Sequence, residues 1–256
     1  MTFQESFKRP KLNKKETKIY QTYIKKLSTW ILQKVTSANQ KGISLGISGG
    51  IDSSLLAVIC KQIPTIKTYF YHFKTSSNPE IERNINLLAK KFDLNIETID
   101  LSDEFNSLTS KLSINSNQVL GNLKSRLYMS SLYALSQKNE TLVCGTDNYD
   151  EHFLGYFTKY GDGGCDILPI ANIKKSDVYA LANMLGVPDE IIDRKPSADL
   201  CENQSDEGDL GFSYETFEKW LIDPNLVSKE IADSITHYHK ISNHKRLEIP
   251  RGPKLK

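Results

Sequence analysis

Cysteine is scarce. Cys60, Cys144, Cys165 and Cys201 lie far apart, with no C-x-x-C pair and no Cys/His spacing suited to zinc. That excludes a disulfide framework or a zinc ribbon, and the thiols are expected to be reduced, as in the cytoplasm. No apolar run approaches the roughly 18 residues of a membrane span, and the lysine-rich start, residues 1–16, lacks the apolar core of a signal peptide. A cytoplasmic protein with no membrane contact is therefore expected. Net charge is also small, +2 over 256 residues, too mild by itself to argue for a nucleic-acid partner, and none is expected. With 14 Gly and 9 Pro and no internal repeat, the chain is neither fibrous nor of low complexity. What charge asymmetry exists is local: eight Lys/Arg against two Asp/Glu in residues 1–26, and five acids with no base in residues 199–209.

What is present alternates. An amphipathic helix is expected over 16–38, with Ile24, Leu27, Ile31 and Val35 at helical spacing. Ile43 to Ile47 is β-prone and ends in Ser48-Gly49-Gly50, and the apolar stretch from Ser53 to Cys60 follows as a helix. Ile66 to Phe73 reads as a second strand, and Asn78-Pro79-Glu80 starts a helix with Pro at its first position. A third strand spans 94–101, a long helix 117–138 with Leu120, Leu123 and Leu127 as an inward stripe, and a fourth strand 141–144. Ser176 is expected to open a further helix that Gly186 and Pro188 stop, residues 213–240 to be helical, and 199–211 to be a mobile loop. Alternation of this kind predicts a doubly wound, mainly parallel α/β sheet with helices on both faces, in one main domain over 1–256 with its core at 16–250. Ligands of such sheets bind at the strands' carboxyl ends, which selects the loops Ser48–Ser53 and Gly145–Glu151.

The first loop carries the clearest chemistry. Gly49 and Gly50 admit backbone angles closed to other residues and let N–H groups approach an anion at a helix N-terminus. Ser48 and Ser53 add hydroxyl donors. Asp52 is an acid where phosphates would already be negative, which makes sense if magnesium lies between them. The G-x-x-x-x-G-K-[ST] phosphate loop is absent. A hydrolase nucleophile elbow is the rival reading: Gly46-Ile47-Ser48-Gly49-Gly50 matches G-x-S-x-G, with Asp166 and His244 following in triad order. It leaves Asp52 without a role, and only 47 residues precede Ser48.

Ser48-Gly49-Gly50-Ile51-Asp52-Ser53 after a strand resembles the pyrophosphate loop of the ATP pyrophosphatases, adenylating ligases that split ATP into AMP and pyrophosphate. Within them the chain is similar to the NAD synthetase family. The blocks Asn122–Arg126, Gly145-Thr146-Asp147, Phe157–Asp166, Pro196-Ser197-Ala198-Asp199-Leu200 and His244-Lys245-Arg246 carry that resemblance. It implies amidation of deamido-NAD by ammonia with ATP as co-substrate, through an acyl adenylate, and a homodimer. Another adenylating ligase, such as a tRNA-modifying enzyme, is the alternative. Glutamine-dependent relatives carry an amidase domain for which the chain has no room, so free ammonia, or ammonia handed over by another protein, is the expected donor.

Residue by residue, the resemblance assigns ATP to Gly46, Ile47, Ser48, Gly49, Gly50, Ile51, Asp52, Ser53, Thr146, Lys175 and Ser197. It assigns deamido-NAD to Arg126, Lys159, Asp166, His244 and Lys245, and magnesium to Asp52 and Glu151. On its residues alone, each position also has a plainer reading. Arg126 and Asn122 could be solvated, Glu151 a surface acid, Lys175 a cap-flanking lysine, Gly161 to Gly164 a flexible hairpin, and His244-Lys245 part of a solvated basic tail. His237 and His239 read as surface helix residues. Two departures stand out: Ser197 replaces the family's usual Thr, and Phe73-Lys74-Thr75 stands where the family has an ATP-binding arginine, so that Lys74 is a substitute in an open register.

Overall fold

The computed structural model describes residues 7–197 and 205–255. Four parallel strands form one sheet in the order β3-β2-β1-β4. These are β1 (Gly42–Gly46), β2 (Lys67–Lys74), β3 (Ile96–Asp100) and β4 (Thr141–Cys144). Leu45 is the register point at the centre, opposite Phe70 on one side and Cys144 on the other. Because β1 is covered on both faces, it reads as a short buried run with no clean polar face.

Side chains alternate between two layers, as the pleat requires. Ile43, Leu45, Phe70 and Cys144 enter a core shared with the helices α1 (Lys14–Ser37), α2 (Ile51–Lys61) and α3 (Pro79–Phe92). Tyr71, Phe73 and Val143 face the opposite way and pack with Leu132 and Tyr128. Helices therefore cover both faces, as the alternating pattern predicts. Beyond β3 come α4 (Ser102–Leu112) and α5 (Asn117–Asn139), and beyond β4 come α6 (Tyr149–Leu154), α7 (Lys175–Leu185) and α8 (Asp189–Asp193). Val178 and Leu181 of α7 are buried in the same core as α2, so the two helices share one apolar layer.

Helix boundaries have local causes. Asn13 and Glu16 form a reciprocal capping box at the start of α1, and Asn78 Oδ1 accepts from the Glu80 and Ile81 amides at the start of α3. α3 stops at Asp93, which adopts a left-handed conformation.

Four expectations require correction. The helix expected over 213–240 is broken: α10 (Tyr214–Ile222) ends at extended Asp223, Pro224–Leu226 make a 3-10 turn, and α11 (Lys229–Ile241) restarts from the Ser228 cap. Proline cannot continue a hydrogen-bonded helix, and Asp223 instead bonds the Asn225 amide. Within the expected loop 199–211, residues Asp206–Leu210 form the short helix α9; residues 198–204 lie outside the described ones. The stripe Leu120, Leu123 and Leu127 on α5 is only half-buried. Its buried positions include Gly121 and Ser125, because small residues let α5 approach the turn at Gly161, where a Cβ would collide with Ser125 Oγ. Finally, α7 starts at Lys175 and not Ser176, with Asp177 accepting from the Lys174 amide.

After β1 the chain builds β2 and β3 on one side, then returns to place β4 on the other. The crevice between the carboxyl ends of β1 and β4 is thus the switch point of the sheet. Both selected loops open onto it. Among the described residues no helix is long and apolar enough to cross a membrane.

Candidate active site

A cavity of about 1030 Å³ lies over that crevice, large enough for a nucleotide and part of a second substrate. Apart from Gly49, every residue from Gly46 to Ser53 lines it, as do Thr146, Glu151, Lys175, Ser197 and Lys74. Gly49 shapes the loop from behind. Its φ is +79°, and a Cβ there would meet Ile81 Cγ2 at 3.2 Å. Ser48 Oγ accepts from the Gly50 amide at 3.2 Å and lies 3.0 Å from Ser53 Oγ, which in turn donates to the Gly50 carbonyl. Asn84, fully buried on α3, donates from Nδ2 to the Gly49 carbonyl at 3.4 Å. The N-terminus of α2, with its unpaired amides, follows at once and suits an anion.

Opposite this loop, Lys175 is only 2% exposed. Its Nζ lies 2.7 Å from Asp52 Oδ2 and 2.9 Å from Glu151 Oε1. The surface lysine allowed by the sequence is therefore a buried ion-pair partner. Burial opposes its charge, but Asp52 and Glu151 outweigh that and hold its pKa well above the ordinary lysine value. Burial pushes Glu151 up to about 7, against the pull of Lys175. The Tyr214 ring, 5.2 Å from Nζ, closes the lysine's remaining side.

Asn148 ties the two acids together. Its Nδ2 donates to Asp52 Oδ1 at 2.9 Å, its Oδ1 accepts from the Asp150 and Glu151 amides, and its own amide donates to Glu151 Oε2. This is the capping box that starts α6, and reasoning from the sequence misses it. The signal available is an Asn followed three residues later by Glu. Two more buried acids flank it. Burial, then Asp162 and Glu151, raise the Asp147 carboxyl well above the usual range, and burial with Glu218 pushes Asp150 up to about 9.

Two carboxylate oxygens converging on one ammonium fit a single hard cation in the same place. Magnesium needs few protein carboxylates when phosphate oxygens and water complete its shell. Asp52 and Glu151 are thus a suitable pair for it, and among the described residues no larger His/Cys/Asp/Glu cluster competes.

The residues expected to meet the second substrate do not line this cavity, and all but Asp166 lie near one another. Arg126 Nε donates to the Lys159 carbonyl at 3.2 Å, and Lys159 Nζ donates to the His244 carbonyl. Lys245 Nζ donates to the Gly155 and Phe157 carbonyls at 2.7 and 2.6 Å. Asp166 stands apart, accepting from the Val143 amide and from Tyr133 Oη beside β4. The Gly161 to Gly164 segment is a compact turn, with Asp162 accepting from Ser125 Oγ and the Thr158 amide. Lys74 Nζ lies 3.5 Å from Asp100 and 3.9 Å from Glu82 at the cavity edge. Among the described residues, Ser48, Asp166 and His244 make no hydrolase triad: Ser48 bonds Ser53 and Gly50, while Asp166 bonds Val143 and Tyr133.

The family described as NAD synthase matches residues 23–250. An NH(3)-dependent NAD(+) synthetase from Mycoplasmopsis pulmonis is 42% identical over 233 residues, 91% of this chain and 90% of that protein. Among solved structures, an NMN synthetase from Francisella tularensis superposes with a TM-score of 0.86 at 33% identity, covering 92% of this chain and 99% of that one. An NH3-dependent NAD synthetase from Campylobacter jejuni gives 0.77 at 26% identity, with the same coverages. The chain belongs to the NAD synthase family.

Proposed function

We propose that the protein amidates the nicotinate carboxyl of deamido-NAD with ammonia, consuming ATP and releasing NAD, AMP and pyrophosphate. A carboxylate oxygen attacks the α-phosphorus and the bond from that phosphorus to pyrophosphate breaks. Ammonia then attacks the acyl carbon, loses a proton, and AMP departs with the original carboxylate oxygen. The observation that carries this reading is the Asp52–Lys175–Glu151 cluster facing the amides at the start of α2.

The loop Ser48–Ser53 binds and orients the polyphosphate, and Thr146 and Ser197, which line the same cavity, are proposed for the nucleoside. Asp52 and Glu151 would hold magnesium, which when bound offsets phosphate charge at the α-phosphorus. Lys175 supplies a point charge to the leaving pyrophosphate. Arg126, Lys159, Asp166, His244 and Lys245 are proposed for the pyridine nucleotide. No covalent enzyme intermediate is needed, so positioning and charge stabilisation do the catalysis. A homodimer is part of the proposal, supported by Leu112 and Val119, which α4 and α5 leave exposed. So is a cytoplasmic setting, supported by the free thiols of Cys60 and Cys144.

A second reading has its own support. The Francisella neighbour is described as an NMN synthetase, and a mononucleotide carries the same nicotinate carboxyl. Assays of purified protein with ATP, magnesium and ammonium, offering deamido-NAD or nicotinate mononucleotide, separate the two. Higher kcat/KM for deamido-NAD supports the first reading, and higher kcat/KM for the mononucleotide replaces it with the second. Glutamine in place of ammonium is expected to give no amide.

A further inference from the structure

We propose that Arg246, together with Ser242 and Lys245, is a positioning device that caps the far end of the Glu151 helix and so fixes Glu151 opposite Asp52. The inference rests on the reading of Glu151 as a site residue.

α6 has six residues, too few to be stable as an isolated helix. Its first turn carries the site, through Asn148 and Glu151. Its last turn leaves carbonyls with no helical partner. Side chains from the C-terminal segment meet four consecutive carbonyls, of which that of His152 also accepts from the Gly155 amide at 3.3 Å. Arg246 Nη1 donates to the His152 carbonyl at 3.2 Å, and His239 Nδ1 to Phe153 at 2.9 Å. Ser242 Oγ stands 3.2 Å from the Leu154 carbonyl and shares its one proton with the Tyr238 carbonyl at 2.6 Å, and Lys245 Nζ donates to Gly155 at 2.7 Å. These donors come from the end of α11, from Ser242, and from the next short helix, α12 (Asn243–Arg246).

Arg246 is itself braced. Nη1 donates to Ser242 Oγ at 2.8 Å and Nη2 to the His239 carbonyl. Two cations therefore stand at the negative end of α6, the favourable end for them. The approach is close enough to demand glycine at the cap. Gly155 has φ +67°, and a Cβ there would collide with Ser242 Cβ and stand 3.1 Å from Arg246 Nη1.

The cap reaches Glu151 because the helix is so short. The Tyr156 amide, just beyond the capping glycine, bonds the Glu151 carbonyl at 2.9 Å, so the backbone of Glu151 belongs to the capped turn. Loosening the cap releases the residue that faces Asp52 and Lys175. Arg246 touches no substrate in this account and acts through Glu151.

The test compares wild type with Arg246→Met and Arg246→Lys. Hydrogen–deuterium exchange is followed without substrate over residues 149–157, with β1 and α7 as internal references, and NAD formation is measured alongside. Arg246→Met is expected to exchange about tenfold faster in 149–157 alone, and to lose about tenfold in kcat with KM for the pyridine nucleotide within about twofold. Arg246→Lys, which keeps the charge and one donor, is expected to recover part of both. Unchanged exchange in 149–157, a rise spread evenly over β1 and α7, or an unchanged kcat overturns the proposal. If Arg246→Met does not fold, Ser242→Ala removes one capping hydroxyl and is judged by the same readouts. Should wild type form no NAD, the functional reading fails, while the exchange pattern still decides whether Arg246 caps α6.

Discussion

Lys175 Nζ and Asp52 Oδ2 lie 2.7 Å apart although they stand 123 residues apart in the chain, and the lysine is almost completely buried. This pair joins the start of α7 to the start of α2 across the carboxyl edge of the sheet. Removing one partner of such a pair leaves uncompensated charge in the interior, at a cost of about 3–5 kcal/mol.

Lys175→Met is accordingly expected to destabilise the fold by about that amount and to stop NAD formation. Magnesium should raise the melting temperature of this variant more than that of wild type, because Asp52 and Glu151 no longer have an ammonium between them. Thermal scans with and without magnesium check this. An equal shift in both proteins contradicts the convergence of the two acids on one cation site.

Asp52→Asn keeps the shape and the contact distance to Asn148 but removes the charge. Turnover is expected to fall at least a hundredfold while the circular dichroism spectrum is preserved. Substantial NAD formation by the variant removes Asp52 from the reaction.

At Gly49 the backbone is left-handed, and an added methyl would press on Ile81. Gly49→Ala should therefore cost about 1–2 kcal/mol in local strain and raise KM for ATP more than KM for the pyridine nucleotide. An equal rise in both would show that the loop does not cradle the phosphates.

His72 gives a pH dependence with a definite sign. It is buried on β2, and since the Ile47 carbonyl can only accept, Nδ1 carries the proton in their 3.0 Å bond. Burial pushes its pKa below the ordinary 6.5. On acidification the unfolded chain takes up this proton first, so stability present above pH 6.5 is lost as pH falls toward the folded value. His72→Asn should flatten the acid side of the melting-temperature profile between about pH 5 and 7. Parallel profiles for the two proteins contradict it.

Much of this architecture is written in local pattern. The four strands, the Gly49-Gly50 turn and the Pro79 helix start follow from residue types within a few positions of one another. The break at Pro224 is equally legible from the proline itself. Lys175 is not, because a lysine is buried only where distant carboxylates meet it, and Asp52 and Glu151 come from other elements. Arg246 is not for the same reason. Its distant partner is the His152 carbonyl, in a six-residue helix too short to leave a periodic signature and nearly a hundred residues upstream. For the candidate site, the resemblance supplies the ATP loop and the acids, while Asn148, which couples them, is visible only as a capping pattern.

The most direct test of the adenylation account follows oxygen. Deamido-NAD labelled with ¹⁸O in the nicotinate carboxyl is turned over with ATP, magnesium and ammonium, and AMP and pyrophosphate are examined by mass spectrometry. The account predicts one labelled oxygen in AMP and none in pyrophosphate. Unlabelled AMP, or label in the other phosphate product, contradicts it.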